Sequence, residues 1–188
     1  MVDETAQNIQ AIVYIGLGAN VGDRLASLQS ALAALAEAPG VRVEAVSPVY
    51  ETEAHVLPGM APQPLHLNAV ARLAVGLAPE ALLDVLHRVE REAGRDHAAP
   101  RWSPRPLDLD VILWGGRAFQ TSRLTVPHPR LSERRFVLAP LGALAPDLVI
   151  PGLGQSVRQL VAACPDRARI ARFPGALTVP SRERREPR

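Results

Sequence analysis

Residues Ala11 to Gly18 read AIVYIGLG, a continuous apolar run that ends in glycine. A run of this length beside turn residues predicts a buried strand. Leucines then follow at positions 25, 28, 32 and 35, the spacing of one helix face, with Asp23 placed to cap the helix and Pro39-Gly40 placed to end it. The patterned part of the chain therefore begins with a strand and an amphipathic helix.

Similar patterns continue along the chain. Apolar or alternating runs predict further strands at 41–51, 66–75 and 107–114, and a second helix begins at Pro79 and stops at Gly94. Shorter elements are predicted as a strand at 123–126 and as helices at 134–143 and 155–163. The order strand, helix, strand, strand, helix, strand is typical of an α+β fold, namely a ferredoxin-like (split βαβ) antiparallel sheet with helices packed on one face.

Composition predicts the domain organisation. We expect residues 11–173 to form a single domain, residues 1–10 a flexible leader, and residues 174–188 an Arg-rich, disordered tail. Two irregular loops, at 52–65 and 96–106, are long for a compact domain, and loops of this kind are usually functional or disordered.

The residue types exclude several kinds of chemistry. With 47% hydrophobic residues the chain can bury a core, and its single cysteine, Cys164, excludes an internal disulfide and a multi-cysteine zinc site and fits a cytoplasmic location. No apolar run reaches the about 18 residues of a membrane-spanning helix. All 21 basic residues are arginine. A P-loop lysine and a Schiff-base lysine are therefore excluded, and any phosphate must be bound by arginine, metal or backbone N–H groups.

An acidic pair lies inside the strand predicted at 107–114. Its first residues read LDLDV, so Asp108 and Asp110 share one face of the strand, about 7 Å apart. Carboxylates within an apolar run are costly unless a cation pairs with them, and Mg²⁺ commonly takes one or two carboxylates and completes its ligand set with substrate phosphates. The alternative interpretation is a half-exposed strand with two solvated aspartates.

The surroundings of this pair favour phosphate chemistry. Residues 95–135 contain eight arginines and four acidic residues, a local charge of +4 against +2 for the whole chain. Arginine pairs well with phosphate oxygens, and phosphoryl transfer needs positioning and charge neutralisation more than covalent catalysis. Any single arginine can equally be a solvated surface charge, and this is the simpler interpretation of Arg117 and Arg130.

The ordered motifs around the acidic pair resemble one family. The sequence RWSPRPLDLD at 101–110 is similar to the signature of 6-hydroxymethyl-7,8-dihydropterin pyrophosphokinases. Further matches follow in family order over about residues 11–162, among them YIGLGAN at 14–20, VYET at 49–52 and LTVPH at 124–128. The resemblance implies transfer of pyrophosphate from ATP to the hydroxymethyl group of the pterin in folate synthesis, with two Mg²⁺ ions as cofactors.

The same resemblance implies roles for individual residues. Asp108 and Asp110 match the metal ligands, and Arg95 and Arg105 match mobile-loop arginines that assist transfer. The implied ATP-binding residues are Glu90, Arg101, Trp102, Thr125, His128 and Arg134, and the implied pterin-binding residues are Gly18, Thr52, His66, Asn68 and Phe136. Two positions depart from the family, since His66 stands where Tyr or Phe is common and His97 where another loop arginine occurs. We expect a cytoplasmic monomer that binds ATP and the pterin, without a nucleic-acid or membrane partner.

Other functions remain open at this point. Ferredoxin-like domains with arginine-rich loops can bind RNA, but that function needs exposed aromatic side chains on the sheet, and two middle strands here read LNAV and VIL. A Mg²⁺-dependent nucleotide hydrolase would use a similar acidic pair and would release pyrophosphate into solution. A relative without activity is a third possibility, against which the intact acidic pair, Arg95 and Arg105 argue.

Overall fold

The structure is a computed structural model that describes residues 10–53, 63–100 and 103–180. Predictions that concern the leader up to residue 9, most of the loop at 52–65, residues 101 and 102, and the tail from residue 181 lie outside the described residues. Within the described ranges the strands are β1 Ala11–Ala19, β2 Val41–Val46, β3 Tyr50–Thr52, β4 His66–Val75, β5 Asp108–Trp114, β6 Phe119–Gln120, β7 Thr125–Val126 and β8 Ile170–Arg172. The helices there are α1 Arg24–Glu37, α2 Pro79–Glu92, α3 Arg135–Leu144 and α4 Val157–Ala163.

The main sheet is antiparallel, with β1 between β4 and β5. Strands β2 and β3 both pair with β4, and β8 extends the sheet beyond β3. The order β5-β1-β4, followed by β2 and β3, is the order of a ferredoxin-like sheet. The predicted fold class is therefore confirmed.

The strand predicted at 41–51 is divided into β2 and β3. Pro48 lies at the division and has no N–H to donate to a neighbouring strand. The adjacent Ser47 bonds Val70 of β4 twice, through its N–H to the Val70 carbonyl (2.9 Å) and through its hydroxyl from the Val70 N–H (2.9 Å). The chain then resumes pairing in β3, which places Thr52 opposite His66.

Helices α1 and α2 cover one face of the sheet. The Asp23 carboxylate accepts a hydrogen bond from the Ala26 N–H (3.0 Å) and so caps α1 as predicted. Residues of β1 that point to this face pack against the apolar stripes of both helices, and the buried set includes Val13, Ile15, Leu17, Leu28, Leu32, Leu35, Leu82 and Leu86. Each such aliphatic side chain contributes about 1.5–3 kcal/mol of transfer free energy.

Helices α3 and α4 cover part of the opposite face. Leu138 and Leu141 of α3 share a buried cluster with Tyr14, Val70 and Ile112 of the sheet. Helices therefore pack on both faces and not on one as expected, because the central strands carry apolar side chains on both sides. The rest of this face is left to the polar residues of the candidate site.

The chain continues its packing beyond the boundary expected at residue 173. Leu177 is only 9% exposed, and the Thr178 backbone exchanges hydrogen bonds of 2.9 and 3.1 Å with the amide of Gln29 in α1. The first part of the expected tail, residues 174–180, is thus held against α1 by an apolar anchor and a paired amide. Among the described residues, no helix is both long enough and apolar enough to span a membrane.

Candidate active site

The site lies where β1 and β5 run side by side. Asp108 pairs in register with Gly18, and Asp110 with Gly16. Leu109 between them is 3% exposed and points into the core beneath α1 and α2. The two carboxylates therefore share the opposite face, as strand alternation predicted. A Cβ on Gly18 would come within 3.4 Å of Asn68 Oδ1, so glycine keeps the floor between these side chains open.

A cavity of about 280 Å³ opens above this floor. It brings together eleven of the fifteen residues predicted for the site: Gly18, Thr52, His66, Asn68, Arg95, Arg105, Asp108, Asp110, His128, Arg134 and Phe136. These residues come from four strands (β1, β3, β4 and β5), from helix α3 and from loops that are far apart in the sequence. Glu53, Gln63 and Ser103 also line the cavity and were not predicted.

A second cavity, of about 450 Å³, adjoins the first between α2 and the β6–β7 hairpin. It contains Glu90 and Thr125, two of the remaining predicted residues. Arg95, Asp110 and His128 line both cavities and form their common boundary. Arg101 and Trp102, which complete the predicted set, lie outside the described residues.

Arginines surround the acidic pair. Asp108 accepts hydrogen bonds from Arg95 through Oδ1 and from Arg105 through Oδ2, the latter at 3.1 Å. Arg134 Nη1 lies 3.9 Å from Asp110 Oδ2. The Asp110 side chain is 52% exposed and lines both cavities. Desolvation there, followed by repulsion from Asp108, raises the pKa of Asp110 to about 6. A cation at this point would relieve that repulsion.

Glu90 lies beneath Arg95 and is fully buried. Its Oε1 accepts hydrogen bonds from the Leu109 N–H (2.7 Å) and from Arg95. His97 Nε2 is 3.3 Å from the other oxygen, Oε2. Burial raises the pKa of the Glu90 carboxyl to about 7. The helical spacing of the sequence indicates that Glu90 is buried, because it lies on the same face of α2 as the buried residues Leu82, Leu86 and Val89.

His128 connects the acidic strand with Arg134. The His128 N–H donates to the Ile112 carbonyl (2.9 Å), which fixes the histidine beside β5, and Nδ1 accepts from the Arg130 N–H (3.1 Å). Burial and the positive charge of Arg134 lower the pKa of His128 to about 4. The imidazole is therefore neutral at physiological pH.

The far end of the first cavity is built to recognise a polar edge. Asn68 Nδ2 donates to Thr52 Oγ1 (2.8 Å), and both side chains are buried. This bond fixes the Asn68 amide and turns its oxygen toward Gly18. Phe136 contributes an aromatic ring, 5.6 Å from the Arg134 guanidinium carbon. Burial and then Arg105 lower the pKa of His66, so this ring is also neutral at physiological pH.

The acidic pair is an incomplete metal site by itself. In the part of the chain that the structure describes, no group of three or more His, Cys, Asp and Glu side chains is placed to hold a metal ion. Two carboxylates fit a hard cation such as Mg²⁺ when substrate oxygens supply the other ligands. This arrangement is suited to a metal that arrives with a polyphosphate.

Fold and site together define a class of protein, an enzyme with a ferredoxin-like sheet that transfers a phosphate-containing group between two bound substrates. A family model described as 7,8-dihydro-6-hydroxymethylpterin-pyrophosphokinase (HPPK) matches residues 14–146. The chain belongs to this family. It is accordingly an ATP-dependent diphosphotransferase, a pyrophosphokinase of folate synthesis.

Individual relatives agree with this assignment. The chain is 44% identical over 164 residues to the 2-amino-4-hydroxy-6-hydroxymethyldihydropteridine pyrophosphokinase of Pseudomonas aeruginosa, which covers 87% of this chain and 98% of that protein. It is 42% identical to the protein of the same name from Synechocystis, over 78% of this chain and 73% of that protein. Plasmodium falciparum HPPK-DHPS, solved with pteroate, shares the fold with a TM-score of 0.64 at 12% identity, over 82% of this chain and 42% of that chain.

Proposed function

We propose that this chain transfers pyrophosphate from ATP to 6-hydroxymethyl-7,8-dihydropterin by means of Asp108, Asp110 and the arginines around them. One observation carries the proposal: the acidic pair lies among Arg95, Arg105 and Arg134, with Asp108 lining the first cavity and Asp110 lying at the boundary of the two. One cavity suits a flat heterocycle with a polar edge, and the other suits a nucleotide. The phosphates would lie between them, at the acidic pair.

The proposed reaction is a single displacement at phosphorus. The pterin hydroxyl oxygen forms a bond to the β-phosphorus of ATP, and the bond from that phosphorus to the oxygen bridging the α-phosphate breaks. The products are the pterin diphosphate and AMP, with release of one proton. No covalent intermediate on the enzyme is needed, so the protein contributes orientation and charge.

Asp108 and Asp110 would hold two Mg²⁺ ions. The fit rests on two carboxylates on one face of β5, of which Asp108 lines the first cavity and Asp110 lines both. The pKa of Asp110 is raised by desolvation and by repulsion from Asp108, and a bound cation would offset both effects. The bound ions would neutralise the phosphate charge and orient the reacting oxygens.

The arginines would bind the phosphates. Arg95 and Arg105 are held at the cavity by Asp108, and a guanidinium carries five N–H donors, so each can bond a carboxylate and phosphate oxygens. Thr125 and His128 line the second cavity, and Arg134 lines the first beside Asp110; all three would bind ATP. Glu90 is buried beneath Arg95 and would contribute to ATP binding indirectly, because it holds Arg95 and strand β5 in place. Roles for Arg101 and Trp102 rest on the sequence motif.

The pterin would occupy the far end of the first cavity. Asn68, fixed by Thr52, presents its amide to the polar edge of the heterocycle, and Gly18 leaves room for it. Phe136 and the neutral His66 offer ring faces for stacking. A monomeric state and a cytoplasmic location belong to the same proposal. The buried, unpaired Cys164 is compatible with a reducing compartment.

The deciding experiment measures AMP formation by the purified protein with ATP and Mg²⁺, with and without 6-hydroxymethyl-7,8-dihydropterin. Pterin-dependent AMP together with pterin diphosphate is the expected result. AMP and free pyrophosphate formed at the same rate without pterin would instead identify a nucleotide hydrolase and refute the transfer.

A further inference from the structure

A C-terminal strap, residues 165–173, connects two walls of the first cavity. Its strand β8 pairs with β3, and the pairing is extended at both ends. The Phe173 N–H donates to the Val49 carbonyl (2.9 Å), and the Glu53 N–H donates to the Arg169 carbonyl (3.3 Å). The strap therefore holds the strand that carries Thr52.

The other end of the strap holds α3. Asp166 Oδ2 accepts from the Arg135 N–H (3.1 Å), and Asp166 Oδ1 accepts from the Ala168 N–H (2.9 Å). The residue at the N-cap position of α3, Arg134, makes no side-chain capping bond. A helix start leaves N–H groups without partners, and a carboxylate both satisfies one of them and favours the helix dipole. Asp166 thus caps α3 from a position 31 residues further along the chain.

We propose that Asp166 is a positioning residue for the pterin, because the strap fixes the spacing between Thr52 and Phe136. Phe136 lies in the first turn of α3, directly after the residue whose N–H is capped, and Thr52 ends the strand that pairs with β8. Both side chains line the first cavity. A small recess between the two walls is closed by Asp166, Ala168, Arg169 and Ile170 of the strap.

The effect is expected on the pterin and not on ATP. Arg134 lies next to the cap and its guanidinium is 5.6 Å from the Phe136 ring, but its side chain has other partners, with Nη1 3.3 Å from His128 Nε2 and 3.9 Å from Asp110 Oδ2. Loss of the cap therefore loosens Phe136 more than the phosphate-binding arginine.

The test compares steady-state kinetics of Asp166→Ala with the unchanged protein, and it rests on the proposed function for its substrates. We expect about a fivefold to tenfold rise in the KM for the pterin, because pterin binding must then order the helix start that the cap orders in the unchanged protein; kcat and the KM for ATP should stay within about twofold. A simple loss of folded protein would instead lower the apparent kcat and leave both KM values unchanged. An unaltered pterin KM, or an equal rise in both KM values, overturns the proposal.

Two further variants keep the result interpretable. In Asp166→Ser the hydroxyl can still accept a hydrogen bond from the Ala168 N–H, two residues further along the chain. The shorter side chain cannot reach the Arg135 N–H, so the cap is lost. This variant should fold and show the same rise in pterin KM, and a folded Ser variant with an unaltered pterin KM overturns the proposal. Gln29→Ala is the matched control, because it releases Thr178, beyond the strap, from α1 and leaves β8 and the cap in place. Its pterin KM should be unchanged.

Backbone amide exchange on the ligand-free protein separates this proposal from the proposed function. In Asp166→Ala, the amides of Arg135 and Phe136 should exchange faster, while those within α1 exchange as before. Exchange at the start of α3 that is equal in both proteins overturns the cap, whatever the enzyme assay shows. Absence of pterin-dependent AMP in the unchanged protein refutes the proposed function and leaves this measurement intact.

Discussion

Glu90→Gln tests the electrostatics beneath the site through the dependence of stability on pH. The Glu90 carboxyl is fully buried, and burial raises its pKa from 4.5 to about 7. Between these two values the folded protein keeps a proton that the unfolded chain has lost. The free energy of unfolding contributed by Glu90 therefore falls as the pH rises through this window. At about 1.4 kcal/mol per pH unit, the fall amounts to about 3 kcal/mol.

The side chain of Gln does not titrate, so the variant lacks this contribution. The difference in the free energy of unfolding between Glu90→Gln and the unchanged protein should therefore shift by about 3 kcal/mol in favour of the variant from pH 4.5 to pH 8. This shift does not depend on which of the two proteins is the more stable at either pH. Urea unfolding at both pH values, followed by the fluorescence of the buried Trp114, measures the difference. The other carboxyl groups change the free energy of unfolding of both proteins with pH by nearly the same amount, so their contributions largely cancel in the difference.

Glu92→Gln is the matched control on the same helix. Glu92 is exposed and pairs with Arg88 at 3.2 Å. The free energy of unfolding of Glu92→Gln, relative to that of the unchanged protein, should therefore change by less than about 1 kcal/mol across the same pH range. A loss of stability by Glu90→Gln on going to high pH would refute the reasoning. It would mean that the ion pair with Arg95 outweighs desolvation and keeps Glu90 ionised.

Further predictions concern catalysis. Asp110→Ala should leave the fold intact and abolish AMP formation, and near-normal turnover would contradict the metal assignment. Arg105→Ala should lower kcat more than the affinity for ATP, because the guanidinium bonds charge that develops in the transition state; a loss confined to ATP affinity would contradict that role. Thr52→Val should raise the pterin KM by about tenfold, since the Asn68 N–H loses its acceptor, at a cost of about 1–3 kcal/mol in the free energy of unfolding; an unchanged pterin KM would show that Asn68 does not depend on this bond.

The sequence predicted the acidic pair because strand alternation is a local property. Leu109 must point into the core if Asp108 and Asp110 share the open face, and the structure has this arrangement. The second helix was likewise predictable, since Pro79 and Gly94 mark its ends locally. These features depend on a few neighbouring residues.

Other features depend on contacts between distant parts of the chain and could not be predicted. Strand β8 has only three residues and is extended because β3 offers a free edge for pairing. The cap on α3 comes from Asp166, and no local signal joins that residue to Arg135. One partner of Glu90 is the Leu109 N–H of β5, which only the packing of α2 on the sheet brings within reach.

Strand β8 also bears on how the protein behaves in concentrated solution. An open strand edge is a template on which other chains can add, and β3 would present such an edge at Tyr50–Thr52 if β8 were missing. The replacement edge is short, has Arg169 and Arg172 at its ends, and is followed by Pro174, features that discourage further strand addition. A chain shortened before residue 169 should therefore self-associate through β3, so the strap also protects against aggregation.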